Sequence, residues 1–353
     1  MGNKSRRIGL ILLLLVIAAV GVYLLLTSGP ETVRLRGYVG GEKIGLLEDE
    51  EVQDILERDH HVVLDYAKAG SLDMVTADHS GRDFLFPSSQ TALELYEKMY
   101  GKPVKSEIVL NTPIVLYTRK TVADALEAGG IVTKEDGVSY VDMERLTECV
   151  ETGVTWEELG LPQLYGSVTV GTTDPNESNS GNMFAGLLAN VICGGVADSS
   201  NIGPALPRLR AIFQKLGYME TSSSDLFDQF LKTGMGAKPL IAGYENQLLE
   251  FAVQNPADWE QVKEDIVMLY PNPTVWSAHV FIALDENGAL GIDALTDEEV
   301  QELAWKSHGF RTGVYGTSMD AAGFGVDGVA EDITRIAPMP DVDVMQQIME
   351  YLE

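Results

Sequence analysis

The residues able to do chemistry in this chain are hydroxyls and amides gathered in a few loops, and they suit the binding of an anion better than catalysis. The sequence holds no GxSxG elbow, no HExxH, no GxxxxGK[ST] and no GxGxxG set between a strand and a helix. Of the five histidines, His60 and His61 are adjacent, while His79, His279 and His308 stand alone with no positioned nucleophile. No catalytic residue, metal ligand or cofactor is assigned, and the chain is expected not to be an enzyme. The densest polar stretch runs from Thr172 to Asn182 (TTDPNESNSGN). It lies between a strand ending at Gly171 and an apolar helix starting near Gly181, so it offers free backbone N–H groups at the positive end of a helix dipole. Ser178, Asn179 and Ser180 add neutral donors. The competing reading is that Ser178 or Ser180 only caps the helix. Two weaker loops of the same kind occur earlier, at Ala69-Gly70-Ser71 and at Pro87 to Gln90 (PSSQ).

Such loops need a sheet to bring them together. Residues 33–39 alternate like a strand, and residues 50–58 follow with helical spacing of Val52, Ile55 and Leu56. Strands at 61–66, 84–86 and 108–117 and a helix at 89–99 continue an α/β order. A second set follows, with strands at 167–171, 239–244, 266–269 and 275–284 and helices at 181–193 and 224–232. A helix over 297–307 has Thr296 as its expected N-cap, with Glu299 completing a capping box. The segment 341–352 is amphipathic through Val342, Met345, Ile348, Met349 and Leu352, which predicts a helix packed on the body. Residues 314–340 read as loops over the first half. In open α/β sheets ligands bind at the carboxyl ends of strands, where all three hydroxyl-bearing loops would meet.

Composition narrows the partners. The 353 residues allow two lobes with substantial cores. With 53 acidic against 25 basic side chains, a formal charge of -28 opposes binding to nucleic acid. Cys149 and Cys193 form no CxxC pair, and the sequence leaves open a disulfide or two small buried hydrophobes.

Lys4, Arg6 and Arg7 precede an apolar run from Ile8 to Leu26, long enough for a ~30 Å hydrocarbon layer. The run exceeds the ~7 to 15 apolar residues of a secretory signal and lacks a good cleavage site. An uncleaved N-terminal transmembrane helix over residues 8–26 is therefore expected, with residues 30–353 outside the cell by the positive-inside rule. A cleaved signal and a secreted protein are the alternative. No cysteine follows the run, which gives no support to lipid attachment.

The order of motifs resembles the type II periplasmic (extracellular) solute-binding proteins of ABC transporters. The resemblance covers nearly all of residues 31–353 and rests on residues 66–71 (YAKAGS), 83–89 (DFLFPSS), 111–117 (NTPIVLY), 173–181 (TDPNESNSG), 243–246 (GYEN), 269–274 (LYPNPT) and 309–311 (GFR). It implies a two-lobed α/β fold with hinge-crossing strands: residues 1–29 as anchor or signal, 30–118 and 275–353 as lobe 1, and 119–274 as lobe 2. The match is closest to the molybdate and sulfate type of oxyanion binder. Carried over onto this chain, it implies a cleft lined by Ser71, Ser88, Ser89, Thr112, Ser178, Asn179 and Ser180, with Tyr244 where a later strand of the second lobe meets it. The implied function is capture of a small ligand, such as an oxyanion, for an ABC permease; the alternative is a membrane-tethered sensor or interaction module on the same fold. Glu245 beside Tyr244 is an awkward neighbour for a dianion, and with Asp174 and Asp73 it would favour a cationic amine or a metal ion instead.

Overall fold

The chain was studied as a computed structural model that describes residues 31–313 and 320–353, with Val16 alone before them. The apolar run of residues 8–26 falls, apart from Val16, outside the described residues. No described helix is long and apolar enough to cross a membrane.

The first half of the fold contains β1 (Val33–Val39), α1 (Ile44–Glu48), α2 (Glu50–Arg58), β2 (Val62–Lys68), α3 (Asp73–Thr76), β3 (Phe84–Phe86), α4 (Gln90–Tyr100) and the long β4 (Lys105–Arg119). There follow α5 (Lys120–Ala128), β5 (Val132–Glu135), β6 (Val138–Asp142), α6 (Met143–Thr152), α7 (Asn179–Cys193), α8 (Ile202–Gln214), α9 (Ser223–Lys232), β7 (Leu240–Tyr244), α10 (Glu245–Gln254), α11 (Pro256–Val262) and β8 (Ile266–Asn272). The chain closes with β9 (Trp276–Ala283), α12 (Glu286–Leu295), α13 (Glu298–Lys306), β10 (Arg311–Thr312) and α14 (Val342–Leu352).

The strands run in the order β2-β1-β3-β9-β4-β8-β6-β5, with β7 and β10 also paired to β4. Strand β4 is the pivot. Its residues Lys105 to Pro113 pair with β9, whereas Ile114 to Arg119 pair with β7 and β8. The sequence of β4 records this change: burial alternates at first, as on a half-covered strand, then is continuous from Thr112 to Arg119, as on a strand covered on both faces. Around the first half-sheet, Leu35, Val39, Phe84, Phe86 and Phe281 form a core; around the second, Leu116, Val141, Phe184, Leu209 and Leu269 do. Apolar side chains removed from water in both halves are the main stabilising contribution.

Several expectations change. Residues 167–171 form no regular strand; Gly171 alone exchanges backbone hydrogen bonds with the β7 edge, its N–H reaching Leu240 O. Helix α13 is capped by Asp297, whose carboxylate accepts from Glu299 N, because Thr296 is already used as the C-cap of the preceding helix, with its hydroxyl on Ile292 O. The described part of the 314–340 segment touches the first half at Trp305 and beside α4, but much of it lies over the second half-sheet. There Gly325 O accepts from Trp259 Nε1, Ala330 packs with Tyr270, and Arg335 O accepts from Thr274 N. Helix α14 bridges the halves, with Val342 beside Leu95 and Ile282 and with Val344, Met345 and Ile348 in the core formed by α7 and α8. Both cysteines are free and half-buried.

Candidate functional site

A cleft of about 270 Å³ opens where the loops after β1 and β2 face the starts of α7 and α9. Gly40, Gly41, Glu42, Lys68, Ala69, Gly70 and Ser71 line one wall; Glu177, Ser178, Asn179 and the run Thr221 to Ser224 line the other. A smaller hollow continues it between Gly70 to Asp73 and Pro175 to Asn182.

The start of α7 is built by its own loop. Asp174 accepts from the N–H groups of Asn176 and Ser178, which turns the chain, and Gly181 lets the loop close on the helix: a Cβ there would lie 2.3 Å from Thr173 O. Ser178 occupies the N-cap position, yet its hydroxyl takes no hydrogen bond from the helix. It pairs with Ser180 Oγ at 3.1 Å, and Ser180 pairs with Thr173 Oγ1 at 2.7 Å. Ser222, N-cap of α9, likewise leaves the first turn unbonded. This is unlike the rest of the described helices that start on Ser or Asp: the side chains of Asp49, Ser89, Asp142, Asp285, Asp297 and Asp341 all accept first-turn N–H groups. First-turn N–H groups have no intrahelical acceptor, so two helices present open donors and the positive ends of their dipoles to one cleft. Asn182 Nδ2 is buried without a partner and lines the adjoining hollow. The exposed Lys68 ammonium, on the facing wall, has no partner among the described residues.

Beneath the first wall lies a buried cation. Lys43 is fully buried; its Nζ donates to Ser88 Oγ at 2.7 Å and to His279 Nδ1 at 3.1 Å, and it stands 4.8 Å from the centre of the Phe86 ring. Burial pushes its ammonium down to about 8, with the Glu42 charge acting against that shift. Burial, then the Lys43 charge, hold His279 neutral, well below the usual histidine range.

The sequence-predicted residues divide. Ser71, Ser178 and Asn179 line the cleft. Ser88 is buried next to it, with its N–H on Ser71 Oγ, and Ser180 lies behind Ser178. Tyr244 is fully buried; its hydroxyl accepts from Asn179 Nδ2, which also donates to Ser88 O and so ties α7 to the loop after β3. Burial, and next the Glu42 charge, hold the Tyr244 phenol well above its ordinary value. Ser89 instead caps α4 and borders a separate cavity of about 430 Å³ with Trp276 and Met339. Thr112 is buried on β4, where it accepts from Asn246 N.

Glu245 does not face the cleft. It has no exposed surface, and both its oxygens are held by Arg311, at 2.6 and 2.8 Å, with Tyr270 donating a third bond. Its charge is neutralised internally, which removes the objection to an anionic ligand and takes Glu245 out of any cation site formed with Asp174 and Asp73. Among the described residues no group of three His, Cys, Asp or Glu side chains is placed to hold a metal ion. Glu42, Lys43, Lys68 and Thr221 to Ser224 were not singled out from the sequence. The Ser222-Ser223-Ser224 run ahead of a predicted helix was the available signal.

The fold is that of periplasmic and extracellular solute-binding proteins. The periplasmic binding protein AfuA from Actinobacillus pleuropneumoniae, with fructose-6-phosphate bound, superposes with a TM-score of 0.57 at 13% identity, over 90% of this chain and 96% of its own. The Trichodesmium protein IdiA (FutA), in complex with iron and citrate, gives 0.56 at 11% identity, over 91% and 98%. The sulfate-binding protein SubI from Mycobacterium tuberculosis gives 0.53 at 15% identity, over 90% and 96%. No protein-family model matches the chain, and no curated protein sequence does.

Proposed function

We propose that this chain is a solute-binding protein that captures a small anionic ligand in the cleft between the β1 and β2 loops and the starts of α7 and α9. The observation that carries this reading is the pair of helix starts whose serine N-caps leave their first-turn donors open to one cavity. Lys68 adds a compensating charge from the facing wall, and a cavity of about 270 Å³ matches the room of roughly nine waters at ~30 Å³ each. That is space for a small organic anion as well as for a bare oxyanion. Proteins of this fold holding fructose-6-phosphate, sulfate or iron with citrate support a binding role rather than an enzymatic one.

On this reading residues 30–118 and 275–353 act as one lobe and 119–274 as the other. The lobes close about β4 and the stretch joining β8 to β9, and Asn179 reaches Ser88 in the closed state. The protein delivers its ligand to an ABC-type permease, and residues 8–26 hold it at the membrane with the remainder outside. A thermal-shift panel of sulfate, molybdate, glycerol 3-phosphate, polyamines, divalent metals, free sugars and amino acids tests the ligand class, because a ligand selective for the folded state raises the unfolding midpoint. The midpoint is expected to rise with anions; a rise confined to polyamines or metals contradicts the anion cradle.

A further inference from the structure

The two walls of the cleft are chemically unlike, and the difference bears on what the ligand must carry. One wall offers donors: the open starts of α7 and α9, and beside them Asn182 Nδ2, which is 4% exposed and has no partner. The other wall carries a carboxylate, Glu42, fixed from below. Lys43 is an ammonium and can only donate, so the Ser88 hydroxyl that accepts from it turns its own proton to Glu42 Oε2, at 2.9 Å. Lys43 Nζ itself stands 4.0 Å from the same oxygen. The arrangement is tight: a Cβ on Gly40 would sit 2.7 Å from both Glu42 Oε2 and Ser88 Oγ and 2.9 Å from Lys43 Nζ. Glu42 Oε1 is left without a partner among the described residues, on a side chain that lines the cleft.

A carboxylate held in this way at a ligand site repels a bare dianion and needs a donor from whatever occupies the cleft. Sulfate has none to give. We propose that the ligand is a small organic anion that also carries a hydroxyl or ammonium group, and that Glu42, anchored by Lys43 through Ser88, is the specificity-determining residue that accepts from that group. The inference rests on the cleft being the ligand site. It accounts for a lysine kept buried at the cost of desolvation, and for a glutamate anchored against a cleft into which two helix starts and Lys68 bring positive charge.

The test is calorimetric titration of the wild-type protein and of Glu42→Gln with sulfate, glycerol 3-phosphate and phosphoethanolamine. The wild type is expected to bind one of the two organic phosphates at least about tenfold more tightly than sulfate, the scale of one hydrogen bond to a charged group. Glu42→Gln should remove most of that preference. A larger loss with phosphoethanolamine identifies an ammonium partner, and a larger loss with glycerol 3-phosphate a hydroxyl. Ser88→Ala keeps the carboxylate but removes its anchor, and an intermediate loss is expected from it. Equal or tighter binding of sulfate by the wild type, or an unchanged preference in Glu42→Gln, overturns the role of Glu42 and leaves the cleft standing. Binding of none of the three overturns both.

Discussion

Glu42 and Glu245 each meet a buried cation near the middle of the molecule, and the two clusters end in opposite circumstances. Glu245 takes two hydrogen bonds from Arg311 and one from Tyr270, while Arg311 gives two further hydrogen bonds to the backbone oxygens of Ala330 and Glu331. Both carboxylate oxygens and all three guanidinium nitrogens are engaged away from solvent, and the cluster pins the 320–340 segment over β8. Around Glu42 the planar fork is replaced by the single ammonium of Lys43, a serine stands between the charges, and one carboxylate oxygen is unpaired at the cleft wall. The same chemical types thus stand sealed in one place and partly open, at the wall of the proposed ligand cleft, in the other. Arginine suits the first task because its fork holds both carboxylate oxygens at once, and lysine suits the second because its charge can be relayed through a neighbour.

The largest expected effect lies in the sealed cluster. Arg311→Met leaves the Glu245 carboxylate buried without a counter-charge, and a loss of about 3 to 5 kcal/mol is expected as a fall in the thermal unfolding midpoint. Ligand affinity, measured where the variant is still folded, should be unchanged; a variant with normal stability would erase the contrast between the clusters.

Next in size is the pH response of Lys43. Its folded value of about 8 lies below its ordinary 10.5, so between these limits the unfolded chain binds more protons and stability rises with pH. Below pH 8 the buried charge costs on the order of 3 kcal/mol. Denaturant titrations of wild type and Lys43→Met should therefore show the wild type gaining on the variant as pH rises from about 8 toward 10.5. A constant difference would mean that Lys43 titrates normally.

At the open helix start, Ser178→Ala should weaken ligand binding by roughly tenfold, about 1 to 2 kcal/mol, with little change in the unfolding midpoint, since Ser178 holds no cap bond. The reverse is expected of Ser89→Ala: it loses the bond to Thr91 N, costing about 1 kcal/mol of stability, and leaves affinity unaltered. A stability loss in Ser178→Ala without an affinity loss would make Ser178 an ordinary cap.

These contrasts also mark what the sequence makes legible. Period-two alternation placed β1 to the residue, and the apolar stretch 108–117 located the middle of β4, whose crossing between the halves came from the family resemblance and not from the pattern. Helices α7 and α9 were readable because polar serine-bearing loops precede apolar runs. Helix α8 was hidden by Pro207 in its interior, and the β5–β6 hairpin by strands of four and five residues. Among the residues that line the candidate cleft, Ser71, Ser178 and Asn179 were legible because their loops read as strand-to-helix connections. Glu42 and Lys43 did not, since an acidic and a basic residue side by side after two glycines read as surface; their roles depend on Ser88 and His279, 45 and 236 positions away from Lys43. For the same reason Glu245 looked like a ligand-facing charge until Arg311 was brought to it by the pairing of β10 with β4.

The central claim, that the cleft at the starts of α7 and α9 receives the ligand, is tested most directly by following backbone amide resonances of the protein during titration with glycerol 3-phosphate. The account predicts that the amides of Asn179, Ser180, Ser223 and Ser224 shift most and saturate together. Shifts centred instead on Trp276, Ala337 and Met339, around the larger cavity beside α4, would place the ligand elsewhere and contradict it.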